Sequence, residues 1–167
     1  MILTAYTILH VLISLVGILS GFVVLFGMLT SQRLDGWTKC FLGTTIATSV
    51  TGFFFPFHGF TPAIGVGIIS LLLLAVAVFA RYVRQLAGAW RMTYVVTSML
   101  ALYFNVFVLV VQSFQKISAL KNIAPTQNDP AFKLTLLVVL VAFIVLGILA
   151  ALKFRGEPVA SASRVET

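Results

Sequence analysis

Five apolar runs, separated by short polar segments, constrain the fold of this chain more than any other feature. They cover about residues 3–29, 37–57, 63–83, 92–114 and 134–152. About 20 apolar residues in a helix cross the roughly 30 Å hydrocarbon layer of a bilayer. Because backbone polar groups in lipid must be satisfied within the segment, each run is expected to be helical. The sequence therefore predicts an all-α integral membrane bundle of five transmembrane helices.

The composition excludes an ordinary soluble domain. Of the 167 residues, 60% are hydrophobic and 9% are charged, whereas soluble domains carry roughly 25% charged residues. A soluble fold of this size could not bury so much apolar surface. The net charge of +7 does not indicate nucleic acid as a partner, because the basic residues flank the apolar runs instead of forming one stripe. The expected partners are the lipid bilayer and other membrane protein subunits.

The basic residues also orient the helices. Run 37–57 is rich in threonine and could be a re-entrant segment instead of a span. Five spans with the N-terminus outside place most basic residues on the cytoplasmic side, as the positive-inside rule requires. The cytoplasmic set is Arg33, Lys39, Arg81, Arg84, Arg91, Lys153, Arg155 and Arg164, and the outer set is Lys116, Lys121 and Lys133. If run 37–57 did not cross, three arginines would move outside, so five spans are favoured, with the C-terminus in the cytoplasm.

The first run is predicted to be a retained helix and not a removable signal peptide. Its first basic residue, Arg33, follows the apolar run, whereas a signal peptide begins with a positive region. We expect a single transmembrane domain over residues 1–155 and a flexible polar cytoplasmic tail over 156–167. Such a protein would reside in the bacterial inner (plasma) membrane.

The stretch TGFFFPFHGFTP, residues 51–62, predicts an aromatic corner between the second and third spans. Pro56 can end one helix, and Pro62 suits the first turn of the next. His58 lies at the tip of this corner, on the outer side. Counted at about 1.5 Å per residue from the inner boundary near Leu29, His10 also lies close to the outer surface. The two histidines are therefore expected on the same side at similar depth.

Polar residues recur on one face of two spans. His10, Ser14, Gly17 and Gly21 follow steps of four, three and four in the first span, and Ser98, Asn105 and Gln112 are seven apart in the fourth. Two readings remain open. Either the amides and hydroxyls join helices, at roughly 0.6–2 kcal/mol a contact, or His10, His58, Asn105 and Gln112 line an outward-facing ligand pocket.

Several kinds of chemistry lack residues to support them. No Asp or Glu lies in any apolar run, so a carboxylate proton relay is not supported. The chain has no zinc-type Cys/His spacing, no P-loop and no GxSxG. Its lone Cys40 is interpreted as a small interfacial hydrophobe. No catalytic residues are assigned.

The runs ALYFNVFVLVVQSFQ and TGFFFPFHGFTP resemble small multi-helix proteins of bacterial inner membranes that have no assigned activity. The resemblance covers most of the chain and implies a multi-pass helical bundle without naming functional residues. The chain is also similar to b561-type cytochromes in being a small helical bundle. Those proteins hold two haems with several histidines, whereas His10 and His58 could ligate one haem at most.

The sequence thus predicts a polytopic inner-membrane protein, without catalytic activity of its own, that acts as an accessory or hydrophobic-ligand-binding protein. Its polar site would face outward near His10 and His58. The alternative is a membrane redox protein that binds one haem b or a quinone through these two histidines. A small-solute transporter is a third possibility, for which inverted repeats would be expected.

Overall fold

The computed structural model of this chain describes residues 2–56 and 62–155. These ranges are helical and contain no strand. The helices are α1 (Ile2–Leu29), α2 (Asp35–Gly52), α3 (Pro62–Val78), α4 (Ala89–Lys116), α5 (Ser118–Ile123) and α6 (Pro130–Lys153). A π-helical turn, Phe79–Val83, extends α3 without a break. The residues of the predicted tail, 156–167, lie outside the described part.

Within residues 2–56 and 62–155, four helices are long and apolar enough to cross a membrane, which is the pattern of a membrane-type bundle. They are Leu3–Leu29, Pro62–Val83, Ala89–Lys116 and Pro130–Lys153. Helix α2 coincides with the second predicted run but is less apolar, because it carries Asp35, Lys39 and several threonines. The length and hydropathy of the described helices therefore support four spans and leave the fifth to be argued from packing.

The connections place three chain segments at one end of the bundle, which we call the Arg81 end. Arg81 Nη2 donates a hydrogen bond to the carbonyl oxygen of Arg33 (2.7 Å), which joins the α1–α2 loop to the end of α3. The backbone N–H of Arg155 donates to Ser31 Oγ at 3.0 Å, and Arg91 donates to the carbonyl oxygen of Phe154. The loop between α1 and α2, the loop between α3 and α4 and the end of α6 therefore meet.

Helix α2 runs from the Arg81 end back along α1. Near its far end, the Thr51 carbonyl oxygen accepts a hydrogen bond from the Tyr6 hydroxyl. We call this opposite end, which includes the start of α1 and the end of α2, the His10 end. Helix α2 contacts α3 and α4 as well as α1, and its buried residues are Thr38, Phe41, Leu42 and Thr45.

Helix α4 is central and α6 is peripheral. Helix α4 packs against α1, α2, α3 and α6, and its buried residues include Tyr94, Ala101 and Leu102. Only 11% of the most apolar part of α6 is buried, so this helix lies at the periphery of the bundle. Large apolar side chains cover the outer surface of the bundle, as expected for contact with lipid.

Several helix boundaries differ from the sequence-based expectation. Helix α2 ends at Gly52 and not near residue 57, and α4 begins at Ala89 and not near residue 92. Helix α6 begins at Pro130, not near residue 134, because proline suits the first helical position, where no intrahelical N–H is needed. The polar segment before it contains the short helix α5, whose described residues are largely exposed. The start of α6 and helix α5 both lie in a polar segment, where hydropathy alone does not indicate a helix.

Candidate functional site

Helix α1, the last turn of α2 and the turn that follows it bring four residues together at the His10 end. We call them the histidine cluster: Tyr6, His10, Thr51 and Phe55. His10 Nδ1 lies 2.8 Å from Thr51 Oγ1. The Tyr6 hydroxyl donates to the Thr51 backbone carbonyl oxygen at 2.5 Å. Two residues near the start of α1 thereby hold Thr51, in the last turn of α2: His10 contacts its side chain and Tyr6 its backbone carbonyl.

Aromatic rings enclose one side of this cluster. The Phe55 ring lies 5.1 Å from the His10 ring, edge to face, and 5.0 Å from the Tyr6 ring. Such pairs contribute about 0.5–1.5 kcal/mol beyond area burial. His10 itself is half-buried, so the ring is fixed on the Thr51 side and accessible elsewhere.

Asn105 belongs to a different layer of the bundle. Its Nδ2 donates to Thr45 Oγ1 at 3.3 Å. A side chain built on Gly17 would come within 3.2 Å of Thr44 Oγ1 and 3.5 Å of Asn105 Nδ2. Gly17 lies seven residues after His10, which is about 10 Å along α1. Asn105 therefore joins α4 to α2 beside α1, and it lies nearer the Arg81 end than the histidine cluster does.

The other two predicted pocket residues are not part of either group. Gln112 is exposed near the end of α4. His58 lies outside the described residues, in the gap at 57–61. Of the four residues predicted to line one pocket, the described part of the chain places His10 in the histidine cluster, Asn105 in the layer below, and Gln112 on the surface.

A second group of polar residues, at the Arg81 end, was not assigned to a site from the sequence. We call it the arginine cluster: Arg33, Asp35, Arg81, Tyr94 and Ser98. Arg81 is 1% exposed and its Nη2 lies 2.5 Å from Asp35 Oδ1. Its guanidinium carbon lies 5.1 Å from the centre of the Tyr94 ring. An arginine of α3 is thus held between α2 and α4.

The arginine cluster has more buried hydrogen-bond donors than acceptors. Within the described residues, Nε and Nη1 of Arg81 and Nε of Arg33 are buried without a hydrogen-bond partner. The one carboxylate, of Asp35, is 65% exposed. Buried charges in a membrane protein are costly unless they are paired. This ion pair therefore ties the Arg81 end together, with a net positive charge of the two arginines over one aspartate.

A pattern in the sequence could have found Arg81. Ser70, Leu74, Ala77 and Arg81 follow steps of four, three and four, the same spacing that placed His10 and Gly17 on one face. All four are buried. The helical period therefore predicts that Arg81 points inward, although its position near the end of an apolar run suggested only an orienting charge.

A cleft lies between the end of α4, helix α5 and the start of α6. Its volume is about 240 Å³, and it is lined by Phe114, Gln115, Lys121, Ala124, Pro125, Thr126, Gln127 and Phe132. One rim is held by Asp129, whose Oδ2 accepts hydrogen bonds from the backbone N–H and the hydroxyl of Thr126. These bonds, that of the backbone N–H first, hold the pKa of the Asp129 carboxyl below its usual range.

The described residues limit the chemistry of these sites. No group of three or more His, Cys, Asp or Glu residues that could hold a metal ion occurs among them. In the histidine cluster, an imidazole is oriented by a hydroxyl and lined by aromatic rings. This arrangement can bind a polar group on a hydrophobic molecule. Comparisons with protein-family models, curated proteins and solved structures found no match to this chain.

Proposed function

We propose that this protein is a five-span inner-membrane protein that binds a hydrophobic ligand at the histidine cluster and serves as an accessory protein without catalytic activity. The observation that carries the proposal is the oriented, half-buried imidazole of His10. Its Nδ1 is engaged by Thr51, whereas Nε2 has no hydrogen-bond partner among the described residues. An imidazole nitrogen at the edge of an apolar bundle needs a polar partner, and a membrane-soluble molecule with a polar head supplies one.

The fifth span in this proposal is α2. Its length of 18 residues corresponds to about 27 Å at 1.5 Å per residue, close to the hydrocarbon thickness. Thr44, Thr45 and Thr51 are hydrogen-bonded to the backbone of α2 or to α1 and α4, which lowers the cost of placing them in lipid. The buried Thr48 hydroxyl has no hydrogen-bond partner among the described residues. Packing against α1, α3 and α4 supports a crossing helix over a re-entrant one.

The orientation in this proposal follows from charge. The Arg81 end carries Arg33, Arg81 and Arg91 in hydrogen bonds that join its loops. The positive-inside rule assigns such an end to the cytoplasm. The N-terminus and the histidine cluster would then lie near the outer surface, where a ligand can enter from the outer leaflet.

Thiol labelling tests the topology. In a variant with Cys40→Ser, single cysteines at Gln32 and Asn128 are both in exposed positions. We expect a membrane-impermeant maleimide added to intact spheroplasts to label Asn128→Cys, and to label Gln32→Cys only after the membrane is permeabilised. Labelling of Gln32→Cys alone in intact spheroplasts would invert the proposed orientation. Labelling of both would mean that α1–α2 and the later helices do not cross as proposed.

Native mass spectrometry tests the ligand. The protein is extracted from its membrane in polymer nanodiscs, and its bound small molecules are identified together with any partner subunit. We expect one hydrophobic molecule to be retained by the unchanged protein and lost about tenfold from His10→Phe, which removes the hydrogen bond. Thr7→Val is the matched control, because the Thr7 hydroxyl donates to the Leu3 carbonyl oxygen of the same helix and contacts no other helix by a hydrogen bond among the described residues.

Two outcomes of this experiment would contradict the proposal. Equal retention by His10→Phe would show that the cluster does not hold the molecule. A Soret band in the absorption spectrum of the purified protein would assign a haem to the chain in place of an organic ligand.

A further inference from the structure

We propose that His10 presents the lone pair of Nε2 to its ligand, so that the histidine cluster selects a molecule whose head donates a hydrogen bond from a hydroxyl on an aromatic ring, such as a phenol or a hydroquinone. This inference rests on the proposed function and adds the chemical class of the ligand. It depends on which nitrogen of His10 carries the proton, and the bonds of Thr51 determine that.

Thr51 has one hydroxyl hydrogen and three close neighbours. Its Oγ1 lies 2.7 Å from the Ala47 carbonyl oxygen, 3.2 Å from the Thr48 carbonyl oxygen and 2.8 Å from His10 Nδ1. If the hydroxyl donated to Nδ1, its oxygen would face the Ala47 oxygen at 2.7 Å with no hydrogen between them, and the two lone pairs would repel. Donation to Ala47 removes this repulsion and leaves the oxygen free to accept a hydrogen bond.

His10 must therefore be the donor to Thr51. A neutral imidazole carries its hydrogen on one ring nitrogen, and the other nitrogen is an acceptor. With the hydrogen on Nδ1, Nε2 has only a lone pair to offer. The tautomer follows from the whole bond pattern at Thr51, as histidine tautomers are assigned in proteins.

The acceptor character of Nε2 discriminates between heads of similar shape. A hydroxyl can donate to it, whereas a quinone carbonyl or an ether oxygen carries only lone pairs and is repelled. The rings of Tyr6 and Phe55, about 5 Å from their neighbours in the cluster, favour an aromatic head over a sugar or a charged phosphate. Of the two redox forms of a quinone, the reduced form fits this site.

The tautomer is measured directly on the full chain. The protein, which contains two histidines, is labelled with ¹⁵N-histidine and placed in nanodiscs at about pH 8, above the ordinary histidine pKa of about 6.5. His58→Gln identifies the signals of His10. We expect a proton on Nδ1 and none on Nε2. We expect Thr51→Val, which removes the acceptor, to abolish this preference, and Thr7→Val to preserve it. A proton on Nε2 in the unchanged protein would overturn the inference.

Binding is measured with 4-hexylphenol and its methyl ether, which share the ring and the chain and differ in the hydroxyl donor. At equal mole fraction in the nanodisc, we expect the phenol to bind about tenfold more tightly than the ether. We expect Thr51→Val to reduce this ratio to near one, because His10 can then donate or accept through Nε2. Thr7→Val should leave the ratio unchanged.

The outcomes separate the ligand class from the proposed function. Equal binding of phenol and ether by the unchanged protein would overturn the ligand class and leave the hydrophobic site intact. Binding of neither probe by a protein that retains its native molecule through His10 would also overturn the ligand class alone. Binding of neither probe, together with no native molecule that depends on His10, would overturn the proposed function as well.

Discussion

Replacement of Asp35 by Asn tests whether an ion pair holds the Arg81 end of the bundle. Two unit charges 4 Å apart attract by about 1 kcal/mol in water and about 4 kcal/mol at an effective dielectric constant of 20. Breaking a fully buried pair costs about 3–5 kcal/mol, and an exposed pair contributes about 0.2–1 kcal/mol. Here Arg81 is 1% exposed and Asp35 is 65% exposed, so solvent screens one partner only. We expect Asp35→Asn to lower the free energy of unfolding by about 2 kcal/mol.

A double-mutant cycle isolates this interaction. Asp35→Asn, Arg81→Met and the double variant are unfolded by SDS in mixed micelles, and helicity is followed by circular dichroism. We expect a coupling free energy of about 1–2 kcal/mol, because Arg81→Met removes the buried charge that the aspartate neutralises. Arg84→Met is the matched control. Arg84 lies over the Trp90 ring, with 5.3 Å between its guanidinium carbon and the ring centre, and it forms no ion pair with Asp35 among the described residues.

Additivity would refute this reasoning. If the effects of Asp35→Asn and Arg81→Met sum to within about 0.5 kcal/mol, the two charges do not stabilise each other. An equal coupling between Asp35 and Arg84 would show a general charge effect on the loops and not the buried pair.

Two further predictions concern packing and titration. Gly21→Ala should destabilise the bundle by about 1–3 kcal/mol in the same SDS assay, because the new methyl would lie 2.5 Å from Leu102 Cδ1. Gly43→Ala is the control and should not destabilise the bundle, because a methyl there has no neighbour within 4 Å. Equal effects of the two substitutions would contradict the close approach of α1 and α4. The lowered pKa of Asp129 means that its hold on Thr126 is complete above the ordinary pKa of aspartate and is lost as the pH falls through the lowered value. The amide NMR shift of Thr126 should therefore titrate with a midpoint below that of an unstructured aspartate, and a midpoint at or above it would contradict the hydrogen bonds.

The helical period predicted the inward face of α1 and of the first part of α4, whereas Gln112, on the same predicted face of α4, is exposed. His10, Gly17 and Ser98 face other helices, as their spacing of three, four and seven requires. The partners along each face could not be read from the sequence, because they depend on how far one helix slides along the next. Asn105 is hydrogen-bonded to Thr45, which lies closer to the Arg81 end of α2 than Thr51, the partner of His10. Asn105 and His10 are therefore separated along the bundle.

Arg81 shows the other limit of a sequence reading. A basic residue at the end of an apolar run can lie at the membrane surface or be buried in an ion pair. Hydropathy does not distinguish these two positions. The deciding fact is tertiary: Asp35 follows the first loop and meets Arg81 forty-six positions later. With only one sequence, no covarying pair could indicate that contact.

The weak hydropathy of α2 has a consequence for how this chain enters the bilayer. At the translocon, each segment is partitioned into lipid largely by its own hydrophobicity, and the charged and hydroxyl-bearing residues of α2 oppose that step. On the proposed topology, α2 would insert together with α1 as a helical hairpin. The hydrogen bonds to α1 and the small residues of α1 would stabilise α2 in the bilayer. A reporter fused after Gly52 should then follow α2 across the membrane when α1 precedes it, and remain in the cytoplasm when α2 is offered alone.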